Sequence, residues 1–527
     1  MKLLNILLLF STIFLTSCKN ESNLTSRQDI SSPESISTKE DRKALFDYII
    51  TKTQEREAFS PIKESKLGFS PIENMKACEQ EFVNASSEEE LWYALQKLSN
   101  ARKDRHLSID KVSKGIKPPE VSKGRAPIVF YPDFSSLEKT VFFVSDVEEN
   151  NNKVQIGDEL VEINGASLDE YIKWVEPYMR YSTTNNFLVR LADRIGKKDN
   201  SLPRSFYKDK LYLKLKNRKG QLYEAVLPYK KEVNLKYGRF IRNYKGYKLA
   251  WKAKSFWVYA PKDPKNKTLL LWWYGFRGDL KEASDKLVDY AKQNNMLDYD
   301  IIIDAINSRG GSQGAYAIAR LTSKPFKTTG GNIRLSDIAD DFRDGIIKRY
   351  DEKKIQMDHD VKETEDDGSY LYNWMKGPVT KELDAGKKYT TNVPFKCAHL
   401  PHTNTDWIMQ PASIHFTGKM VVFFGPWGGS HLSQFAAMIK DNNLGYTMGM
   451  PDGGYSNTWE WHEDLIFPIS KKPVAEFMWD IGHTIRPNNE ILEGNPIQVD
   501  EYIPITKDNY LEYKNILLKK AQEYLEK

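Results

Sequence analysis

The fold of this chain is constrained most by two apolar runs. Each run leads into a glycine turn and then into an amphipathic helix. One run covers residues 301–303 and enters the pair Gly310-Gly311, and the other is Met420–Phe424, which enters a Gly-rich turn. Short apolar runs that alternate with helical patterns predict parallel strands in an α/β layer. Thr268–Trp273 fits as another such strand. The accompanying helices are predicted at Leu280–Gln293, 313–320 and 433–441.

Ser430 lies at the junction between the second run and its helix, directly after Gly428 and Gly429. A serine at a strand-to-helix turn has an exposed hydroxyl beside a helix N-terminus, where backbone N–H groups can stabilise an oxyanion. The other interpretation is an ordinary helix N-cap, which is a common use of serine. The paired glycines at 310 and 311 either let backbone amides approach a substrate carbonyl or form a simple tight turn. Both alternatives stay open on these segments alone.

The pattern changes twice upstream of these runs. Residues 41 to about 110 have helical periodicity, and Ser87-x-x-Glu90 predicts a capping box. From about 126 to 229, short β-branched and aromatic runs are separated by Asn and Gly turns, which predicts a small β-rich module with one helix at 168–179. The strand candidates of this module are 128–131, 141–144, Glu159–Ile163 and 211–215.

The N-terminus predicts export. Lys2 precedes an apolar run at 3–16 that is too short to span a bilayer as a helix, as in a signal peptide. The run ends on Leu-Thr-Ser-Cys18, which looks like a bacterial lipobox, so we expect Cys18 to be acylated as the mature N-terminus. An ordinary signal peptide with an incidental cysteine is the alternative. Residues 19–39 are rich in Ser, Asn, Glu and Thr and are expected to form a flexible tether. Lys19 favours the outer membrane of a bacterial envelope.

Composition excludes little beyond disorder. The 527 residues are 40% hydrophobic, which suffices for several domains with real cores. The net charge of +5 comes from interspersed charges of both signs, so nothing favours a nucleic-acid partner. The spacing of Cys78 and Cys397 neither supports nor excludes a disulfide. Cys397-x-His399-x-x-His402 resembles metal spacing but lacks a fourth ligand, so we interpret it as a loop and expect neither metal nor cofactor.

Together these segments resemble the tail-specific, or C-terminal processing, serine peptidases and their tricorn-core relatives. The matches occur in the family's order over about residues 41–505. They are Asp104 with His106, the Gly-Asp-Glu-Leu-Val-Glu-Ile-Asn-Gly stretch at 157–165, Asp304 with Gly310 and Gly311, Ser430 with Phe435 and Ala436, and the stretch 493–500.

The resemblance implies roles for particular residues. Ser430 would be the nucleophile, His106 the general base, and Glu493 the carboxylate that orients the histidine. The oxyanion hole would be formed by the backbone N–H of His431 together with that of Gly310 or Gly311. Members that use a Ser-Lys dyad carry their lysine about 25 residues after the serine. Tyr455 stands there in this chain, which favours the Ser-His-Glu type.

The resemblance also implies an α+β multidomain fold. A signal peptide (1–18) and tether (19–39) would precede a helical domain carrying the catalytic histidine (40–125), a PDZ-like module (126–232) and a ClpP/crotonase-like α/β core (233–527) with an insertion around 362–417. The segment before the 157–165 stretch is polar and Asn-rich, so recognition of a free C-terminus is not predicted. Four residues depart from the family's motifs: Ile306, Ser308, Ser433 and Pro496.

The sequence therefore predicts an exported, lipid-anchored serine endopeptidase that acts on peptides or proteins through an acyl-enzyme. The alternative is an inactive lipoprotein with the same fold that binds peptides or glycans. Neither the physiological substrate nor the oligomeric state follows from the sequence.

Overall fold

A computed structural model gives the protein an α+β architecture with several sheets. It describes residues 37–58, 61–65, 67–136, 139–151, 153–237, 244–352, 369–395, 407–456 and 459–527. The predicted signal peptide with Cys18, and the cluster of Cys397, His399 and His402, lie outside these ranges, so neither the lipobox nor a disulfide to Cys78 is tested. Among the helices within them, none is long and apolar enough to cross a bilayer.

A seven-stranded central sheet forms the core of the C-terminal half. Its strands are, in spatial order, Tyr247–Lys252, Phe256–Pro261, Thr268–Trp273, Asp300–Asp304, Met420–Phe424, Tyr446–Gly449 and Glu501–Tyr502. From Thr268–Trp273 onward neighbouring strands are parallel. Helices Leu280–Gln293, Gly314–Leu321 and His431–Asp441 cover one face, and Tyr513–Leu525 covers the other. The predicted α/β layer is confirmed, with three predicted elements at their predicted bounds.

The order of the central sheet explains how two distant loops meet. Asp300–Asp304 and Met420–Phe424 are direct parallel neighbours, with Ile303 opposite Val422. The carboxyl ends of parallel neighbours open at the same edge of a sheet. The loop with Gly310 and the loop with Ser430 therefore leave the sheet side by side.

The second unit is an antiparallel sheet in the region where short strands were predicted. Its strands are Ile128–Pro132, Phe142–Val147, Glu159–Ile163, Ala166–Ser167, Lys210–Lys216 and Leu222–Pro228. Helices Leu168–Val175 and Thr184–Ile195 pack on it through a core of their own. The predicted helix at 168–179 ends at Val175 and continues as a 3-10 turn, Glu176–Tyr178, in which Pro177 lies.

The N-terminal helices do not form a separate core. They span Lys39–Arg56, Pro61–Ser65, Pro71–Lys76, Glu79–Asn84 and Glu88–Asn100. Leu45, Phe82 and Leu95 are buried in the same hydrophobic cluster as Phe342 and Trp479, from the second half of the chain. That half contributes Ala339–Asp351, Ser369–Trp374, the π-helical turn Met375–Val379, Thr380–Asp384, and the hairpin Glu460–Ile466 with Pro473–Asp480.

The Ser87 capping box forms only in part. The Ser87 hydroxyl accepts the Glu90 N–H at 3.2 Å, as expected. The Glu90 carboxylate bonds to the N–H and hydroxyl of Ser86 rather than to the Ser87 N–H. Local spacing could not distinguish two adjacent serines.

Pairing with the hairpin brings His106 toward the core. The short strand Ile109–Asp110, three residues beyond His106, pairs antiparallel with Pro473–Asp480, and Ile109 lies opposite Phe477. The imidazole thus enters from a sheet edge that is far from Ser430 in sequence.

The remaining short strands join loops around these units. They are Gly124–Arg125 with Lys197–Lys198, Gly275–Phe276 with Arg309–Gly311, Phe326–Lys327 with Ile408–Met409, and Gly330–Gly331 with both Val393–Pro394 and Thr484–Ile485.

Candidate active site

Ser430 has an unusual backbone conformation for a residue with a side chain. Its φ is 61° and its ψ is −132°, at the residue before the helix His431–Asp441. Such a conformation costs about 1–3 kcal/mol and persists only where the surroundings enforce it, often at functional sites. Here the Ser430 N–H donates to the Tyr455 carbonyl, and the Gly453 N–H donates to the Gly428 carbonyl at 2.6 Å. These bonds hold the serine turn in place.

The N-cap interpretation of Ser430 is wrong, because its side chain makes no capping hydrogen bond. The serine therefore occupies the cap position without performing the cap's usual role, and its hydroxyl stays available at the turn.

Gly310 is the glycine that contacts the serine. A Cβ on Gly310 would lie 2.5 Å from the Ser430 Cβ and 2.9 Å from its Oγ, so only glycine fits there. Gly311 instead faces Phe276, whose carbonyl oxygen a Cβ would overlap. Of the two glycines that the sequence left as alternatives for an oxyanion hole, Gly310 is the one beside the hydroxyl.

His431 contributes its backbone and its ring separately. As the first residue of its helix, it has an N–H group for which the helix offers no carbonyl partner. Its Nε2 accepts the Gly314 N–H at 2.7 Å, and its ring packs edge-on against Phe276. The ring thus connects the helix His431–Asp441 to the neighbouring helix Gly314–Leu321, while the backbone of His431 lies at the Ser430 turn.

Tyr455 connects the serine to the histidine. Its carbonyl accepts the Ser430 N–H, and its ring lies edge-on to the His106 ring with centroids 5.3 Å apart. A side chain at Gly429 would collide with the same Tyr455 ring. Ser430 and His106 therefore flank one aromatic side chain.

His106 is set up as a neutral imidazole. Burial, together with the charges of Arg105 and Arg180, lowers its pKa to about 4, and the carboxylate of Asp104 acts in the opposite direction. The Asp104 Oδ1 also accepts the backbone N–H of His106 at 2.9 Å. A neutral ring at neutral pH can accept a proton, as a general base must.

Glu493 is buried beside Ser456, the residue that follows Tyr455. Its Oε2 accepts the Ser456 N–H at 3.0 Å, and Lys63 Nζ lies 3.9 Å from its Oε1. Burial and the charge of Asp104 together raise the pKa of Glu493 to about 8, and Lys63 and Ser182 oppose this rise. The hydrogen bond to Ser456 thus links the Glu493 carboxyl group to the segment that carries Tyr455.

A buried charge cluster behind His106 was not predicted from the sequence. Glu57, Asp480 and Arg102 join Asp104 and Lys63 there, and all five are buried. Arg102 pairs with Glu57, and Lys63 Nζ lies 3.4 Å from Asp104 Oδ2. Burial raises the pKa of Glu57 to about 7 and that of Asp480 well above its usual value. With Glu493, carboxyl groups outnumber cations in this cluster, and the raised pKa values keep part of these carboxyl groups protonated.

The helix Thr184–Ile195 supports both loops of the site. The Thr183 hydroxyl donates to the Gly453 carbonyl at 3.1 Å, and the Asn186 amide donates to the Pro426 carbonyl at 2.8 Å. Only the helix at 168–179 was predicted in this module, so Thr184–Ile195 and its role were missed. No local motif marks a side chain that bonds to loops more than 200 residues away.

The folded chain is similar to solved structures of CPAF. With mature CPAF complexed with lactacystin, the TM-score is 0.67 at 15% identity, covering 92% of this chain and 99% of that one. With mature CPAF, the TM-score is 0.66 at 15% identity, covering 90% and 96%. The photosystem II D1 C-terminal processing protease aligns with a TM-score of 0.39 at 10% identity, over 88% and 93%. No protein-family model and no curated protein matched the sequence.

The family resemblance that the motifs indicate is thus confirmed as a likeness of fold. CPAF is matched over nearly its whole length as well as over most of this chain. The chain has the fold of CPAF.

Proposed function

We propose that this chain is a serine endopeptidase of the tail-specific family, with Ser430 as nucleophile, His106 as general base and Glu493 as orienting carboxylate. The observation that carries the proposal is the conformation of Ser430: a strained turn with a positive φ, no capping bond, and a hydroxyl against Gly310. Such turns expose a nucleophile at the carboxyl edge of an α/β sheet.

Catalysis would proceed through an acyl-enzyme. His106 takes the proton of Ser430 Oγ as Oγ bonds to the carbonyl carbon of the substrate. The carbonyl oxygen becomes an oxyanion that faces the N–H groups of Gly310 and His431. Collapse breaks the C–N bond, and His106 gives the proton to the leaving amine. Water then cleaves the ester, again with His106 as base.

The buried carboxyl groups have a part in this sequence. Protonation of His106 creates an imidazolium beside an interior that already contains more carboxyl groups than cations. The carboxylate of Asp104 raises the pKa of His106 and so favours the imidazolium. Stabilising the imidazolium in the transition state, more than in the resting enzyme, accelerates the reaction.

The finer fold assignments belong to the same proposal. The unit built on Ile128–Pro132 to Leu222–Pro228 would be the PDZ-like module, and the central sheet with its helices the ClpP-like core. Support for them comes from the order of elements. The proposed activity is tested by incubating the protein with an unstructured protein and sequencing the new N-termini, which should appear only with an intact Ser430.

Lipid anchoring through Cys18 at a bacterial envelope, in the outer membrane, is also proposed from the lipobox. Replacing Cys18 with alanine is expected to move the protein from the membrane to the soluble fraction, because the acyl chains supply the membrane affinity. Fractionation after a high-salt wash measures this, and Cys78→Ala should behave like the parent. Retention of the Cys18 variant on washed membranes would refute the anchor.

A further inference from the structure

Three arginines surround the proposed catalytic residues. Arg105 precedes His106, and its backbone N–H donates to the Ser182 hydroxyl at 3.0 Å. Arg180 lies two residues before Ser182. Arg190, from the helix that supports the loops, donates to the Trp427 carbonyl at 2.9 Å, and its guanidinium stacks 4.1 Å over the Trp427 ring.

The guanidinium groups of these arginines lie close enough to repel one another. Burial lowers the pKa of each, and the positive charge of a second arginine lowers it further: Arg180 acts on Arg105, Arg190 on Arg180, and Arg105 on Arg190. Arg190 Nη2 lies 3.4 Å from the Tyr455 hydroxyl, and the ring of Tyr455 contacts His106, the residue after Arg105. The three charges therefore share one space at the catalytic residues.

No carboxylate pairs with these arginines within the described ranges. Those that act on them from a distance are Asp104, Asp110 and Asp193. Asp104 is engaged by Lys63 and the His106 N–H, and Asp193 bonds to Lys197. In the same part of the chain, the buried Nε atoms of Arg105 and Arg190 have no hydrogen-bond partner.

Elsewhere the chain pairs its buried arginines. Arg56 bonds to Asp337 and Glu463, Arg102 to Glu57, Arg194 to Asp199, and Arg486 to Asp441. An unpaired, partly buried cation is costly, and the cost is recovered when a ligand supplies the counter-charge. The Nε atoms of Arg125, Arg194 and Arg349 also have no hydrogen-bond partner. Arg125 and Arg194 nevertheless pair with carboxylates, and no second arginine acts on Arg349, in the helix Ala339–Asp351.

Resting on the proposed function, we propose that Arg105, Arg180 and Arg190 bind a carboxylate of the substrate beside the scissile bond. Guanidinium groups match carboxylates with two parallel hydrogen bonds, which adds geometric selection to the attraction. The carboxylate can be an Asp or Glu side chain or a free C-terminus. The site thereby selects acidic peptide segments, and Arg180, which contacts none of the catalytic side chains in the described ranges, is the residue to test.

The test compares matched peptides. Cleavage sites are mapped in an unstructured protein, and each position around one site is then made Glu or Gln, and the C-terminus free or amidated. At one position or at the terminus, kcat/KM should favour the charged peptide by at least about tenfold. Arg180→Gln should bring that ratio near one, Arg180→Lys should keep part of it, and Arg180→Glu should favour a Lys peptide. Arg349→Gln should keep the parent's ratio.

Several outcomes would overturn the inference. A parent ratio near one at every position and at the terminus excludes a carboxylate site, as does an equal loss of preference in Arg349→Gln. Binding of labelled Glu and Gln peptides to Ser430→Ala, measured by fluorescence anisotropy, reads the same preference without turnover. If cleavage fails but the Glu peptide binds in an Arg180-dependent way, the proposed function is wrong and the carboxylate site stands. If cleavage occurs without preference for the charged peptide, the proposed function stands and the carboxylate site is wrong.

Discussion

Replacing either Ser430 or His106 with alanine is expected to remove nearly all peptide hydrolysis. The loss should be on the order of a million-fold in kcat, because a nucleophile and its base act as one unit and neither retains its function alone. The contacts support a shared site, since the Tyr455 carbonyl holds the Ser430 N–H while its ring contacts His106. Initial rates on an unstructured protein, with circular dichroism to show folding, measure the effect.

Two control variants make this result specific. Tyr455→Phe keeps the ring between Gly429 and His106 and loses only the hydroxyl, so the rate should stay within a few-fold of the parent. His415→Ala removes another partly buried histidine, whose Nδ1 lies 2.6 Å from the Ala412 carbonyl near the opposite edge of the central sheet. It too should remain active. A folded His106→Ala protein that hydrolyses at a rate near that of the parent would refute the assignment of the base.

Glu493→Gln should have the next largest effect, on the order of ten-thousand-fold where Glu493 is ionised. In the proposed mechanism the ionised carboxyl group stabilises the imidazolium that His106 forms, and glutamine keeps the shape without the charge. Burial raises the pKa of Glu493 to about 8, so the carboxylate form gains population as the pH rises through that value. His106 does not change its protonation state near pH 8, because burial lowers its pKa to about 4.

The pH dependence separates a role in catalysis from a purely structural one. The parent's kcat/KM should rise roughly tenfold between pH 7 and 9 as Glu493 ionises, and the Glu493→Gln profile should be flat there. A structural defect would instead lower the rate equally at every pH. A Glu493→Gln profile that parallels the parent's would show that this carboxyl group does not act on His106.

The sequence was sufficient for features that depend on local pattern. The strand Met420–Phe424 and the helix Leu280–Gln293 have the predicted bounds, because apolar periodicity and turn glycines decide them. The strand-to-helix turn at Ser430 was predicted, and the family resemblance proposed Ser430 as the nucleophile. Its φ of 61° was not predicted, because the Ser430 N–H bonds to the carbonyl of Tyr455, 25 residues away.

Features that depend on contacts between distant residues could not be predicted from the sequence. The ion pair between Lys63 and Asp104 joins residues that are 41 positions apart in the chain. The arginine cluster likewise joins residue 105 to residues 180 and 190 across two units of the fold. The choice of Gly310 over Gly311 required the three-dimensional position of Phe276.

Labelling with a fluorophosphonate tests the central claim, an activated serine at position 430, most directly. The probe phosphonylates a serine: Oγ bonds to phosphorus and fluoride leaves, where a base removes the hydroxyl proton and N–H groups stabilise the developing oxyanion. We expect one adduct per chain, located at Ser430 by peptide mass spectrometry, formed at a strongly reduced rate in His106→Ala and at an undiminished rate in Tyr455→Phe. An unlabelled parent protein that is folded, or an adduct on a different serine, would contradict the account.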